Sequence, residues 1–378
     1  MRPVTLLRFL GRLEKSRQLW SVKLKIGCLI CEADLDFWLR IIHPANLPMK
    51  SLAKKVVLGS RALRLAARGR GGSAAILMYH SVRKDPGQTM DTLGGIVHSE
   101  AAFRGQMELL ARDFRPITID MLVEHLQTGR EVPQRAVAVT FDDGYADNHH
   151  TAMPILDQTG VPAVFYITVD CIEKVRLPWT ARLRFPFRRT RRNSWQDPSG
   201  RTWPLAGDHD REQAFACACE ICCRLTGIAQ DQFVAGVEQD LGARSNPKES
   251  TLIMSYDQIR DLARNGHLIG SHTMTHPNLA YVSHQEATAE LTESKLRLEK
   301  ELDSRVVHFS YPCPALTPHW NENTAGACSK AGYETAVTTD WGLTRAGDNP
   351  LRLKRVLPTK TVDGLRWNLE CAFAGREV

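Results

Sequence analysis

Residues 136–144, Ala-Val-Ala-Val-Thr-Phe-Asp-Asp-Gly, constrain the fold more than any other stretch of this 378-residue chain. Val137, Val139 and the β-branched Thr140 favour a buried strand. Gly144 ends it and lets the backbone turn sharply. Asp142 and Asp143 therefore stand at the C-terminal tip of that strand. Two carboxylates side by side in a partly desolvated place repel, so a cation or a shared proton must hold them. An Asx-type turn that happens to carry two Asp is the bland alternative. Partners elsewhere in the chain decide between the two.

The rest of the sequence repeats the pattern. Apolar runs predict strands at 74–80, 161–168, 267–271, 306–311, 334–339 and 351–357. Between them, helical spacing appears at 103–114, from Asp120 to about 126, at 148–157, 256–265 and 286–302. Strands alternating with helices over short connections predict a parallel α/β sheet or barrel. Residues 173–250 break the rhythm. Their first part is rich in arginine and aromatics, from Trp179 and Phe187 to Trp195 and Trp203, and 211–241 reads as helix. The aromatics suit either sugar contact or a small core of the segment's own; nucleic-acid contact stands well behind, and no nucleic-acid motif is present.

Residues 1–73 predict a basic helical extension ending in the flexible Gly69-Arg-Gly-Gly72. Basic amphipathic helices over residues 1–70 suit peripheral contact with an anionic membrane face, or packing on the main domain. The domain beyond is expected to run from 74 to 378, with 173–250 inserted. No ordinary signal peptide is visible, and no run approaches the ~18 apolar residues that span a bilayer. The ten cysteines form no regular disulfide pattern. Cys28-x-x-Cys31 and Cys219-x-x-Cys222 have zinc-ligand spacing, but reduced thiols packed as small hydrophobes are the simpler reading. Abundant thiols suit a reducing compartment, so a cytoplasmic location is expected. The net charge of +7 is compatible with anionic partners without choosing among them.

Partners for the carboxylates do appear. His272 and His276 follow the short strand at 267–271 with H-x-x-x-H spacing, which puts both imidazoles on one side of a turn. With a carboxylate from another strand tip they make a 2-His-1-carboxylate set that leaves positions open on a metal. A second carboxylate beside such a set is well placed as general base. The C-terminal ends of strands are where a parallel barrel carries its active site.

Val137–Tyr145 (VAVTFDDGY) together with Gly270–Pro277 (GSHTMTHP) resembles the polysaccharide deacetylase family, whose catalytic part is the NodB-homology domain. Tyr79-His80-Ser81-Val82 and Met254-x-x-Asp257-Gln258 are similar to the family's flanking sequence, and the likeness covers roughly 74–357. The resemblance implies a distorted (β/α) barrel, with the helical N-terminal extension and the helical insertion added here. It implies metal-assisted hydrolysis of an acetyl group on a sugar, N-deacetylation first, with an N-acetylated glycan as substrate. It assigns Asp142 as base and Asp143, His272 and His276 as ligands. Zinc is the default by ligand type, while cobalt, manganese and iron also accept such a set. C–N hydrolysis of small amides or cyclic imides on the same fold, or a carbohydrate-binding relic, are the alternatives.

The chain departs from the family pattern in three places. Ser310-Tyr311-Pro312-Cys313 has Ser where an Arg often stands and Cys where an aromatic does. The backbone N–H of Cys313 remains as an oxyanion donor, a kind of group worth roughly 3 kcal/mol. Asp340-Trp341 stands for a motif ending in Asp-Trp, but Ala336 lies near where an acidic residue is usual. Leu353-Lys354-Arg355 has Arg where the family's acid histidine is expected, and an Arg does not donate its proton usefully. His80, or Asp142 returning its own proton, would then serve as acid. Tyr311, Trp341 and Arg355 are the expected substrate contacts.

Overall fold

The computed structural model describes residues 54, 57–58, 62–67, 72–85, 96–244 and 252–376. The chain divides into two compact units, Met1–Gly71 with Arg366–Val378, and Gly72–Leu365. In the first, Ala62–Ala67 is helical, and Leu63, Trp367, Cys371 and Ala374 share a buried cluster. The helices expected before residue 54, and Cys28 and Cys31, lie outside the described residues. No described helix is long and apolar enough to cross a membrane.

The second unit is a nearly closed α/β barrel. Its staves are β1 (Ser73–Tyr79), β2 (Ala136–Phe141), β3 (Ala163–Ile167), β4 (Leu268–Ser271), β5 (His308–Ser310), β6 (Thr335–Trp341) and β7 (Leu353–Arg355). Each pairs in parallel with the next. Thr344–Arg345 runs antiparallel to the start of β1, and Arg115–Pro116 pairs with β2, which completes a nine-stranded sheet among the described residues. Just past β7, Val356 bridges Leu77 of β1: its N–H donates to Ile76 at 2.7 Å and its carbonyl accepts from Met78 at 3.3 Å.

β1, β2 and β3 are buried from end to end because both faces are covered. Alternate residues Ala74, Ile76, Ala136, Ala138, Val164, Tyr166, Val337 and Leu353 share one cluster. On the opposite face Tyr79, Phe141 and Phe165 stack in turn, with centroids 5.6 and 4.9 Å apart. Gly270 is required in β4, since a Cβ there would lie 2.4 Å from the Tyr166 ring.

In chain order the helices wholly within this unit are α1 (Glu100–Asp113), α2 (Ile119–Thr128), α3 (Met153–Thr159), α4 (Val169–Glu173), α5 (Trp179–Arg189), α6 (Asp208–Cys222), α7 (Gly227–Asp240), α8 (Tyr256–Arg264), α9 (His284–Leu302) and α10 (Glu322–Lys330). Capping boxes start α8 at Ser255 and Gln258 and α9 at Ser283 and Glu286. The helix expected at 148–157 begins instead as a π-turn, Asn148–Ala152, in which Met153 N–H reaches back to Asn148. The last expected strand is shorter than its apolar run, because Pro350–Arg352 forms a 3-10 turn and β7 follows.

The insertion carries its own core. Trp179, Phe187, Trp195, Phe215, Cys219, Cys222 and Cys223 are buried together. Of the two uses foreseen for its aromatics, core packing is what these residues do. The cysteines act there as hydrophobes, and no cysteine joins a metal-type cluster among the described residues. Arg182 pairs with Glu238 in a buried link from α5 to α7.

Candidate metal centre and active site

The tip of β2 delivers Asp142 and Asp143 to the C-terminal mouth of the barrel, and the loop after β4 delivers His272 and His276. His272 Nε2 lies 3.6 Å and His276 Nε2 3.4 Å from Asp143 Oδ1. All three side chains are buried, and their donor atoms lie within 4.8 Å of one another. His272 Nδ1 is 2.8 Å from the Ser310 carbonyl. A carbonyl only accepts, so Nδ1 carries the proton and Nε2 turns a lone pair toward Asp143. Asp143 Oδ1 is buried with no hydrogen-bond partner among the described residues.

The donor atoms of Asp143, His272 and His276 thus face one point, and His272 turns a lone pair to it. Ligand atoms about 2.1 Å from a tetrahedral ion lie about 3.4 Å apart, and the two histidine separations from Asp143 agree. Burial, with Asp142 beside it, pushes Asp143 up to about 8. Burial lowers both histidines and keeps them neutral, the ligand form. The residues therefore fit a divalent cation.

Asp143, Thr273 and His276 all take positive φ, at 78°, 69° and 62°. Such conformations are unfavourable for side-chain-bearing residues, above all β-branched Thr, and persist only where the surroundings enforce them. Here they do. His272 N–H donates to Ile167 at 2.8 Å, and Val169 and Asp170 donate to the Thr273 and Met274 carbonyls. Buried Glu290 of α9 accepts from Met274 N–H and Thr275 N–H, both at 2.8 Å, and from the Thr275 hydroxyl.

The sequence over 129–186 and 233–336 matches the model of the polysaccharide deacetylase family. Over these residues the chain is similar to the polysaccharide deacetylase family. The stretch left out between the two matched segments lies within the insertion. A Bacillus subtilis protein named as a polysaccharide deacetylase, YxkH, is 20% identical over 334 residues, which is 88% of this chain and 78% of that one. Among solved structures, the Streptococcus pyogenes deacetylase PplD, determined with acetate, is similar with a TM-score of 0.52 at 17% identity; the match covers 78% of this chain and 97% of that one. IcaB from Ammonifex degensii is similar at a TM-score of 0.50 and 18% identity, over 80% and 97% of the two chains. Both share the deacetylase barrel described above.

Within this site Asp142 has partners that sequence reading missed. Arg355 Nη1 lies 2.9 Å from Asp142 Oδ1, and Nη2 lies 2.8 Å from Oδ2. Ser310 Oγ donates to Oδ2 at 3.3 Å. Burial alone would raise Asp142, but the guanidinium more than offsets it and holds the carboxyl far below the usual range. Of the two neighbours, Asp142 thus carries the negative charge and Asp143 is the one that lacks a cation.

The other expected residues divide. His80 follows β1 within electrostatic range of Asp142 and His272, and burial pushes it down to about 4. Cys313 is exposed beyond β5, and Trp341 stands 41% exposed at the end of β6. Tyr311 and Arg355, expected to touch substrate, are instead enclosed. The Tyr311 hydroxyl donates to Leu351, and Arg355 gives Nε to the Thr338 carbonyl and Nη1 to Asp142. Large side chains at inward-facing strand positions fill the barrel rather than its rim. Asp340 accepts from Trp320 Nε1 at 2.7 Å, and buried His319 bonds Thr339. Neither contact was legible, because both partners sit on an irregular loop.

Proposed function

We propose that this chain removes acetyl groups from an N-acetylated polysaccharide or oligosaccharide with the help of a divalent cation. The observation that carries the proposal is the convergence of Asp143, His272 and His276 on one point beside an ionised Asp142. Asp143 and the two histidines would hold the ion, zinc by ligand type. A cation there supplies a nucleophile at neutral pH and a Lewis acid for the acetyl carbonyl.

The chain's own groups do the rest. Asp142 takes the proton from the attacking water. Arg355 and Ser310 keep its carboxylate ionised and aimed, and Oδ1, with one donor, keeps a lone pair free for the task. The Cys313 N–H, which no other described group accepts, stabilises the oxyanion. His80 is unprotonated at neutral pH, which favours Asp142 as the group that returns the proton to the leaving nitrogen. Trp341 offers an exposed face to a sugar ring. The glycan would be a soluble or lipid-linked intermediate on the cytoplasmic side, with residues 1–70 against the membrane.

Acetate release across a panel of N-acetylated oligosaccharides, before and after chelation and with zinc restored, tests the proposal. Metal-dependent release is the expected result. Zinc-loaded protein that releases no acetate from any of them but opens small cyclic imides overturns it in favour of a small-amide hydrolase.

A further inference from the structure

The loop that carries both histidines is held from three sides. The barrel supplies Ile167, Val169 and Asp170. Helix α9 supplies Glu290. The insertion supplies the third support. Trp179, at the start of α5, donates its indole N–H to the carbonyl of His276 at 2.9 Å in a buried contact. The two rings meet edge to face, with centroids 6.5 Å apart. Two residues on, Asn278 N–H donates to the carbonyl of Cys223 at 2.9 Å, directly after α6.

Among the described residues, the hydrogen bond to the His276 carbonyl comes from Trp179 and from neither the barrel nor α9. Yet His276 sits at φ 62°, so its peptide needs an external partner to stay where it is. The indole is itself fixed. Trp179 is 5% exposed, packed with Leu183, Phe187 and the Cys219–Cys223 turn. The insertion is tied to the barrel through Asp170 of α4, which pairs with Lys174 at 2.8 Å and with Arg176, while the same amine and guanidinium lie 2.9 and 2.6 Å from Asp231 of α7.

We propose that the insertion braces the metal centre, and that Trp179 is a positioning residue which sets the orientation of His276 and hence the affinity and geometry of the bound ion. The inference rests on the divalent-cation reading above. Outer partners of metal ligands change affinity about 10- to 100-fold when removed, and the Trp179–His276 contact belongs to that class although it acts through the backbone.

The test is Co(II) binding to the full chain, read by titration and by the visible d–d spectrum. Trp179→Phe keeps an aromatic ring and removes the donor. It is expected to bind Co(II) about 10- to 100-fold more weakly than wild type, with shifted bands. Trp195→Phe, a change in the same core with no contact to the histidine loop, is expected to leave both unchanged. If Trp179→Phe does not fold, site-specific replacement of Trp179 by benzothienylalanine keeps the shape and loses only the N–H. A folded Trp179 variant with wild-type affinity and spectrum overturns the brace. Equal shifts in the Trp195 variant overturn it too, since they mean general loosening. Wild-type protein that takes up no Co(II) overturns the cation reading and the brace together; wild type that binds, beside an unaffected Trp179 variant, overturns the brace alone.

Discussion

The guanidinium of Arg355 lies fork to fork against the carboxylate of Asp142, at 2.9 and 2.8 Å, with the two side chains 1% and 2% exposed. Arg355 occupies the place where the family resemblance leads one to expect an acid histidine, and Ser310 the place of an expected arginine. In space the two substitutions meet on one carboxylate.

Removing the cation from this pair should be costly and pH-dependent. In the wild type the folded pKa of Asp142 lies below its unfolded value of about 3.9. The pair's contribution is therefore present above that pH and lost as pH falls through the folded value. In Arg355→Met burial dominates and Asp142 takes up a proton. The variant should lose about 3–5 kcal/mol at pH 7, and its deficit should narrow at pH 4. Denaturant unfolding at both pH values measures this; equal deficits would show that the pair is not what holds this region.

Asp142→Asn should bind zinc normally and lose turnover by at least about 100-fold, the lower range for a general base. Metal analysis beside acetate release separates the two effects. Full activity in this variant moves the base elsewhere.

His272→Ala should lose metal and activity together, because it removes a ligand and also the bond from Nδ1 to Ser310. Dialysis against zinc followed by metal analysis reads the result, and normal occupancy takes His272 out of the ligand set.

Burial pushes Glu290 up to about 7 despite its three donors. An unfolded Glu titrates near 4.3. Between about 4.3 and 7 the folded chain holds a proton that the unfolded chain has lost, so this group's contribution is greatest at low pH and falls as pH rises. The slope is at most about 1.4 kcal/mol per pH unit. Glu290→Gln should flatten it, and urea unfolding between pH 4.5 and 7.5 gives the comparison.

Trp341→Ala should raise KM for longer oligosaccharides and leave kcat near wild type, as expected for a contact made equally in ground and transition states. A fall in kcat alone would place Trp341 at the reacting centre instead.

The barrel and the Asp-Asp, His-x-x-x-His arrangement were readable because each depends on local pattern: apolar runs, a breaker and a fixed spacing. Arg355, Ser310 and Glu290 were not readable in their roles. Their partners lie 213, 168 and 15 or 16 residues away, and only closure of the barrel and docking of α9 bring them together. Tyr311 and Arg355 were expected outside, because a motif position does not tell which way a strand residue points. Trp179 was noted only as one of many aromatics. Nothing in sequence distinguishes a core tryptophan from one whose N–H meets the carbonyl of a histidine 97 residues on.

The barrel meets its own beginning through two backbone hydrogen bonds around Val356, between β1 and the end of β7. Arg355 is the residue just before that seam, and its side chain crosses to Asp142 and Thr140 on β2, the strand on the far side of β1. The charge pair is thus also a clasp on the ring. Exchanging Arg355 for a histidine, to recover the expected proton donor, would remove that clasp and the counter-ion of Asp142 in the same stroke.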